Sequence, residues 1–108
     1  MILTTTDSVD GKRITAYLGV VSGETVMGTN IFKDFFAGVR DIVGGRTKSY
    51  EGVLNDAKQE ALQDLAEAAK KLGADAVVGI DLDYEAIGGG GDRTLLMVTA
   101  NGTAVKLG

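Results

Sequence analysis

Histidine and cysteine are both missing from this 108-residue chain. Their absence removes thiolate nucleophiles, the usual structural zinc sites, the Ser-His-Asp triad and any imidazole base at neutral pH. Proline is missing too, while glycine occurs sixteen times, so special backbone geometry falls to glycine alone. Basic residues are in the minority: eleven Lys and Arg stand against fifteen Asp and Glu, a net charge of −4. That is the wrong sign for sequence-independent attraction to phosphate backbones, and no nucleic-acid partner is expected. No positively charged start precedes an apolar run, and the uncharged stretches break at Gly, Ser or Thr well short of the roughly 20 residues a membrane helix needs. A soluble, cytoplasmic protein without a membrane partner is the expectation. Residues 1–108 read as a single domain, large enough to bury roughly two-thirds of its unfolded surface without a bridge or a metal.

What is present divides by period. Residues 13–28 are rich in β-branched and aromatic side chains, with Ile14, Ala16, Leu18 and Val20 alternating with Thr15, Tyr17, Gly19 and Val21. They predict a long strand, apolar on both faces, that bends at Gly19 or Gly23 and needs cover on both sides. Asp10-Gly11 is a two-residue turn signal that would pair a short first strand, Ile2 to Thr5, with it. Asn30 caps a predicted helix in which Phe32, Phe35, Phe36, Val39, Ile42 and Val43 form one stripe, with Gly44-Gly45 as its stop. Ser49 caps a second, long helix from about Tyr50 to Leu72, with a small-residue seam of Leu54, Ala57, Ala61, Leu65, Ala68 and Leu72, and Gly73 as its stop. From Asp75 the period becomes two. Ala76, Val78, Ile80, Leu82, Tyr84 and Ala86 fall on one predicted face, and Val77, Gly79, Asp81, Asp83 and Glu85 on the other. Gly88 to Gly91 is read as a hairpin tip leading into a last strand that is bulged near Asn101-Gly102. The expected class is α+β, in the order β-β-α-α-β-β, with a mainly antiparallel sheet and one long helix.

Four runs, "GVVSGE" at 19–24, "GTNIFKDFFAGVRDIVGGR" at 28–46, "LGADAVVGIDLDYE" at 72–85 and "MVTANGTAV" at 97–105, closely resemble the YbjQ-like family of small bacterial proteins. The match is collinear over nearly the whole chain. The resemblance implies an α+β subunit that assembles with copies of itself into a ring, with a pentamer expected. It also implies a heavy-metal-binding label, with no established catalytic residues to carry over. Soft metals prefer thiolate and imidazole ligands, and this chain has neither.

The strongest candidate for cation chemistry is the acidic row Asp81, Asp83 and Glu85. Alternate strand residues point the same way about 6.6 Å apart, and carboxylates suit hard divalent ions such as calcium, magnesium or manganese. Direct coordination needs oxygens at about 2.0–2.6 Å, so neighbouring strands or subunits must add ligands or the ion must keep several waters. The competing reading is a solvated strand face, or carboxylates paired with Arg40, Arg46 or Arg93. Arg40 and Asp41 with Gly44-Gly45-Arg46 could form an anion pocket, but no strand precedes these glycines with phosphate-loop spacing and no Gly-Lys-Ser/Thr follows. A helix stop beside a positioning Arg-Asp pair is the plainer reading. Phe32, Phe35 and Phe36 read as core or subunit-interface anchors. Tyr17, Tyr50 and Tyr84 default to hydrogen bonding in a core or interface. Glu24 would need a partner such as Lys33 or Arg40.

Three functions are compatible with this pattern. The leading one is a non-enzymatic, self-assembling binding or scaffold protein. The second is a hydrolase that uses Asp81, Asp83 and Glu85 to hold a water-activating divalent cation, although no base is evident. The third is a carrier with a small molecule held between subunits near Phe32, Phe35, Phe36 and Arg40.

Overall fold

Four strands and one long helix carry the architecture of the computed structural model. It describes residues 1–27, 42–43, 46–89 and 93–108, with backbone alone at 42–43, 46–50, 87–89 and 93–94. The elements are β1 (Ile2–Leu3), β2 (Ile14–Met27), β3 (Ile42–Val43), β4 (Arg46–Thr47), α1 (Lys48–Lys71), β5 (Ala76–Gly89) and β6 (Arg93–Leu107). The main sheet has the order β1-β5-β6-β2, antiparallel except for the β1–β5 pair. The hairpin of β3 and β4 stands as a separate two-stranded sheet. The α+β class and the β5–β6 hairpin agree with the sequence reading.

Helix α1 forms along the expected seam and ends at the expected glycine; it begins at Lys48, so Ser49, expected as its cap, lies within it. Ala57, Ala61, Leu65 and Ala69 are fully buried along it. Gly73, at φ 79°, ends it: the Ala74 N–H bonds the Ala69 carbonyl at 3.1 Å and the Gly73 N–H bonds Lys70 at 2.9 Å. Such paired bonds need a left-handed residue, which glycine adopts without Cβ strain. Leu72 lies beyond the last helical residue and is 48% exposed, so the fully buried seam ends at Ala69, beside the expected Ala68.

The helix lies mainly over β2, less over β6 and hardly over β5. Gly23 permits that approach, since a Cβ there would overlap the Ala61 carbonyl oxygen and lie 2.5 Å from the Leu65 nitrogen. Val21, Met27, Val77, Ile80, Leu96, Val98, Ala100 and Ala104 complete the core beneath α1. On the sheet's other face a smaller cluster forms from Ala76, Val78 and Val105, with Val9, Ile14 and Leu107 packed against it. That cluster covers one end of the face. The rest carries no layer among the described residues.

Three expectations are corrected. The Asp10-Gly11 turn is real, with Gly11 at φ 76° and a bridge between Val9 and Lys12, yet β1 pairs in parallel with β5 instead of with β2. Ile42 and Val43, expected to end the first helix, instead pair with Thr47 and Arg46 around Gly44-Gly45. β-branched side chains such as those of Ile42 and Val43 favour a strand, and Gly44-Gly45, expected as the helix stop, lie outside the described residues. Residues 28–41, which hold the rest of that expected helix, lie outside the described residues. The third correction concerns β5. Its two faces exchange at Gly79, at φ 62°, where the register slips between Val78 and Asp81. Val77 therefore joins Ile80 and Leu82 beneath the helix, while Ala76 and Val78 share the opposite face with the acidic row. A strict period of two cannot register an inserted residue. Gly19, at φ 132°, accompanies a similar slip in β2: Leu18 and Val21 both pack towards the helix, and Val20 is 79% exposed.

Candidate functional site: an acidic sheet face

The bulge at Gly79 decides which residues meet on the open face. After it, Asp81, Asp83 and Glu85 project away from α1, and all three are exposed. The register then sets them beside β6 and β2. Asp81 lies opposite Asn101, which lies opposite Ser22; Asp83 lies opposite Thr99, which lies opposite Glu24; Glu85 lies opposite Met97, which lies opposite Val26. The Ser22 hydroxyl donates to Asn101 Oδ1 at 2.8 Å, fixing the first of these rows. The face thus carries four carboxylates, with exposed Val20, Val26 and Leu95 at its margins.

Crowding of like charges acts on Asp83. Its carboxyl is held above the ordinary value, first by the negative charge of Asp81, then by a side-chain hydrogen bond with Asp81, by slight desolvation and by Glu85. A like charge favours the protonated form, and a shared hydrogen bond with a second carboxylate does the same. A cation between the two would reverse both effects.

Among the described residues, no group of three or more His, Cys, Asp and Glu side chains is arranged to hold a metal ion. The chemistry of the donors still discriminates. Thiolate and imidazole are missing from the whole chain, so a soft heavy metal does not fit these residues, whereas a carboxylate row suits a hard ion that keeps waters or gains ligands from elsewhere. Of the other candidates, Phe32, Phe35, Phe36, Arg40 and Asp41 lie outside the described residues, as do Lys33 and the tip at 90–92. Arg46 sits in β4 opposite Val43. Glu24 is exposed on the open face. Tyr17 and Tyr84 are 74% and 48% exposed and lie outside the core.

Sequence reasoning missed two features of the surface. Glu24, Ser22, Thr99 and Asn101 join the acidic row only through strand register, for which the local sequence holds no signal. A groove of about 520 Å³ opens between the first half of α1 and the far ends of β5 and β6, lined by Leu54, Asn55, Lys58, Tyr84, Ala86 and Leu96 together with Glu51.

A family model whose description reads "Putative heavy-metal-binding", that of the YbjQ-like proteins, matches residues 1–108. The chain belongs to the YbjQ-like family. A crystal structure of a protein of unknown function from Pediococcus pentosaceus ATCC 25745, assigned to the DUF74 family, is similar to this YbjQ-like chain with a TM-score of 0.69. The match covers 100% of this chain and 98% of that one at 20% identity, which establishes a shared fold and nothing about a ligand. No helix among the described residues of this YbjQ-like protein is long and apolar enough to cross a membrane.

Proposed function

We propose that this chain is the single-domain subunit of a non-enzymatic binding or scaffold protein of the cytoplasm, a closed ring of identical subunits with five as the expected number. The observation that carries the reading is surplus surface. The chain exposes 6848 Å², whereas a compact monomer of its mass exposes about 5,700 Å². It measures 51 × 30 × 16 Å, only two layers deep. The excess, roughly 1,100 Å², exceeds the area a subunit gives up in a standard interface, which is about 800 Å² per partner. Apolar side chains sit within that exposed surface, Val20 at 79%, Val26 at 57% and Leu72 at 48%. In a closed ring, such apolar patches are covered by neighbours. Sedimentation equilibrium tests the reading: an integral multiple of 11.2 kDa that persists on dilution is expected, and a single-chain mass would contradict it.

The acidic face favours one ligand class within that reading. Asp81, Asp83 and Glu85 would hold a hard divalent cation whose remaining ligands are water or carboxylates of a neighbouring subunit. The repulsion that raises Asp83 is the specific support, because a bound cation relieves it. A divalent-dependent rise in melting temperature that vanishes in Asp83→Asn is expected, and an unchanged rise in the variant would remove the site.

A further inference from the structure

The outer edge of β2 bears a different feature. In an antiparallel ladder each residue turns its N–H and C=O together, towards one neighbour or away from it. The Glu24 N–H donates to Asp64 Oδ2 of α1 at 3.2 Å, so Glu24 faces away from β6, and by alternation Val20, Ser22 and Val26 share that outer edge. An unpaired edge of this kind is a template for another strand. The sequence of β2 suits a second copy of itself. Laid antiparallel with Gly23 opposite Gly23, the two strands set Ser22 against the second copy's Glu24, a hydroxyl against a carboxylate, and exposed Val20 against the second copy's Val26. All of these residues are outward-facing, as a hydrogen-bonded antiparallel pairing requires.

Helix α1 stands against this. It approaches β2 so closely that only glycine fits at position 23, and its side bearing Glu60, Asp64, Glu67 and Lys71 borders the edge in two grooves of about 290 Å³ and 460 Å³. A two-fold axis at Gly23 would bring Asp64, which accepts from the neighbouring Glu24 N–H, towards Asp64 of the second copy. We propose that β2 is a self-complementary edge kept closed by α1, with Asp64 as both the cap on its central donor and the charge that repels its own copy. The partner excluded is a second copy of this chain, and assembly is thereby confined to other surfaces.

Hydrogen exchange on the native protein tests the cap directly. The Glu24 amide should exchange about tenfold or more slowly than the outward amides of Ser22 and Val26, since among the described residues its N–H alone of the three has an acceptor in α1. Equal exchange at all three sites, fast or slow, would overturn the proposal, because the edge would then be uncapped or already paired. Native mass spectrometry of Asp64→Leu supplies the second arm. A mass twice that of the wild-type assembly is expected, whatever the wild-type size. Asp64→Asn, which keeps an oxygen for Glu24, should stay at the wild-type mass. Adding Val26→Lys to Asp64→Leu should restore it, because the lysine would face the second copy's Val20. A folded Asp64→Leu protein of wild-type mass would overturn the proposal, and if that variant fails to fold, the exchange experiment decides alone.

Discussion

Replacing Gly23 with alanine adds one methyl group, and its consequence follows from where that group must go. The new Cβ would overlap the Ala61 carbonyl oxygen and lie 2.5 Å from the Leu65 nitrogen. Both are helix backbone, so no side chain can rotate away. Ordinary contact requires α1 to withdraw by roughly 1 Å, and a gap of that size forfeits about a quarter to a half of each dispersion contact along the seam. The seam is Ala57, Ala61, Leu65 and Ala69, all fully buried, so the loss is spread over the centre of the core. Overpacking of this kind costs about 1–3 kcal/mol, with rigid neighbours at the upper end. Alanine recovers about 0.5–1 kcal/mol by narrowing the unfolded ensemble. A net loss of about 2 kcal/mol is expected, read as a lower midpoint in urea denaturation and a melting temperature lower by roughly 10 °C. Gly52→Ala is the internal control. It lies in the same helix with open space around it and should stabilise by up to about 1 kcal/mol. If Gly23→Ala is as stable as wild type while Gly52→Ala behaves as stated, the close approach of α1 to β2 is wrong.

Gly79→Ala must place a side chain at φ 62° and should cost about 1–2 kcal/mol in the same denaturation assay, although the space around it is open; no loss would mean that the bulge is absent or relocates. Leu65→Ala should cost about 2–5 kcal/mol, since Leu65 is fully buried at the centre of the helix–sheet contact. Asp83 gives a pH dependence of defined sign. Its carboxyl is raised in the folded state, so the folded form binds the proton more tightly than the unfolded one. This group therefore makes the protein less stable above its folded value, and that deficit disappears as pH falls towards the ordinary carboxylate value. Melting temperatures across that acidic range should show the effect in wild type and not in Asp83→Asn, which should match or exceed wild type at neutral pH. A variant less stable than wild type at neutral pH would reverse the sign.

The parts of the fold that were legible from sequence are those where several local signals agree. The long helix had an apolar seam repeating at three and four residues and a glycine stop, and although Ser49 lies inside it instead of capping it, its observed span differs from the expected one by less than a turn. The β5–β6 hairpin had two alternating strands flanking a glycine run. The errors fall where one residue resets a pattern. Gly79 and Gly19 each exchange the faces of a strand, and neither glycine looks different in sequence from Gly23, whose role is close approach. The parallel partnership of β1 with β5 is a long-range choice, and the local turn at Asp10-Gly11 pointed to the nearer strand. At the candidate site, the acidic row was visible as three carboxylates at alternate positions. The residues across from it were not, because Glu24 and Asn101 reach that face only through register.

The central claim, an assembled ring with a cation-binding acidic face, is tested most directly by native mass spectrometry. Protein freed of metal, and then equilibrated with calcium, magnesium or manganese, should give a closed multiple of the 11.2 kDa chain carrying a stoichiometric ion, and Asp83→Asn should give the same multiple without the ion. A single chain under every condition, or a ring indifferent to all three ions, would contradict the account.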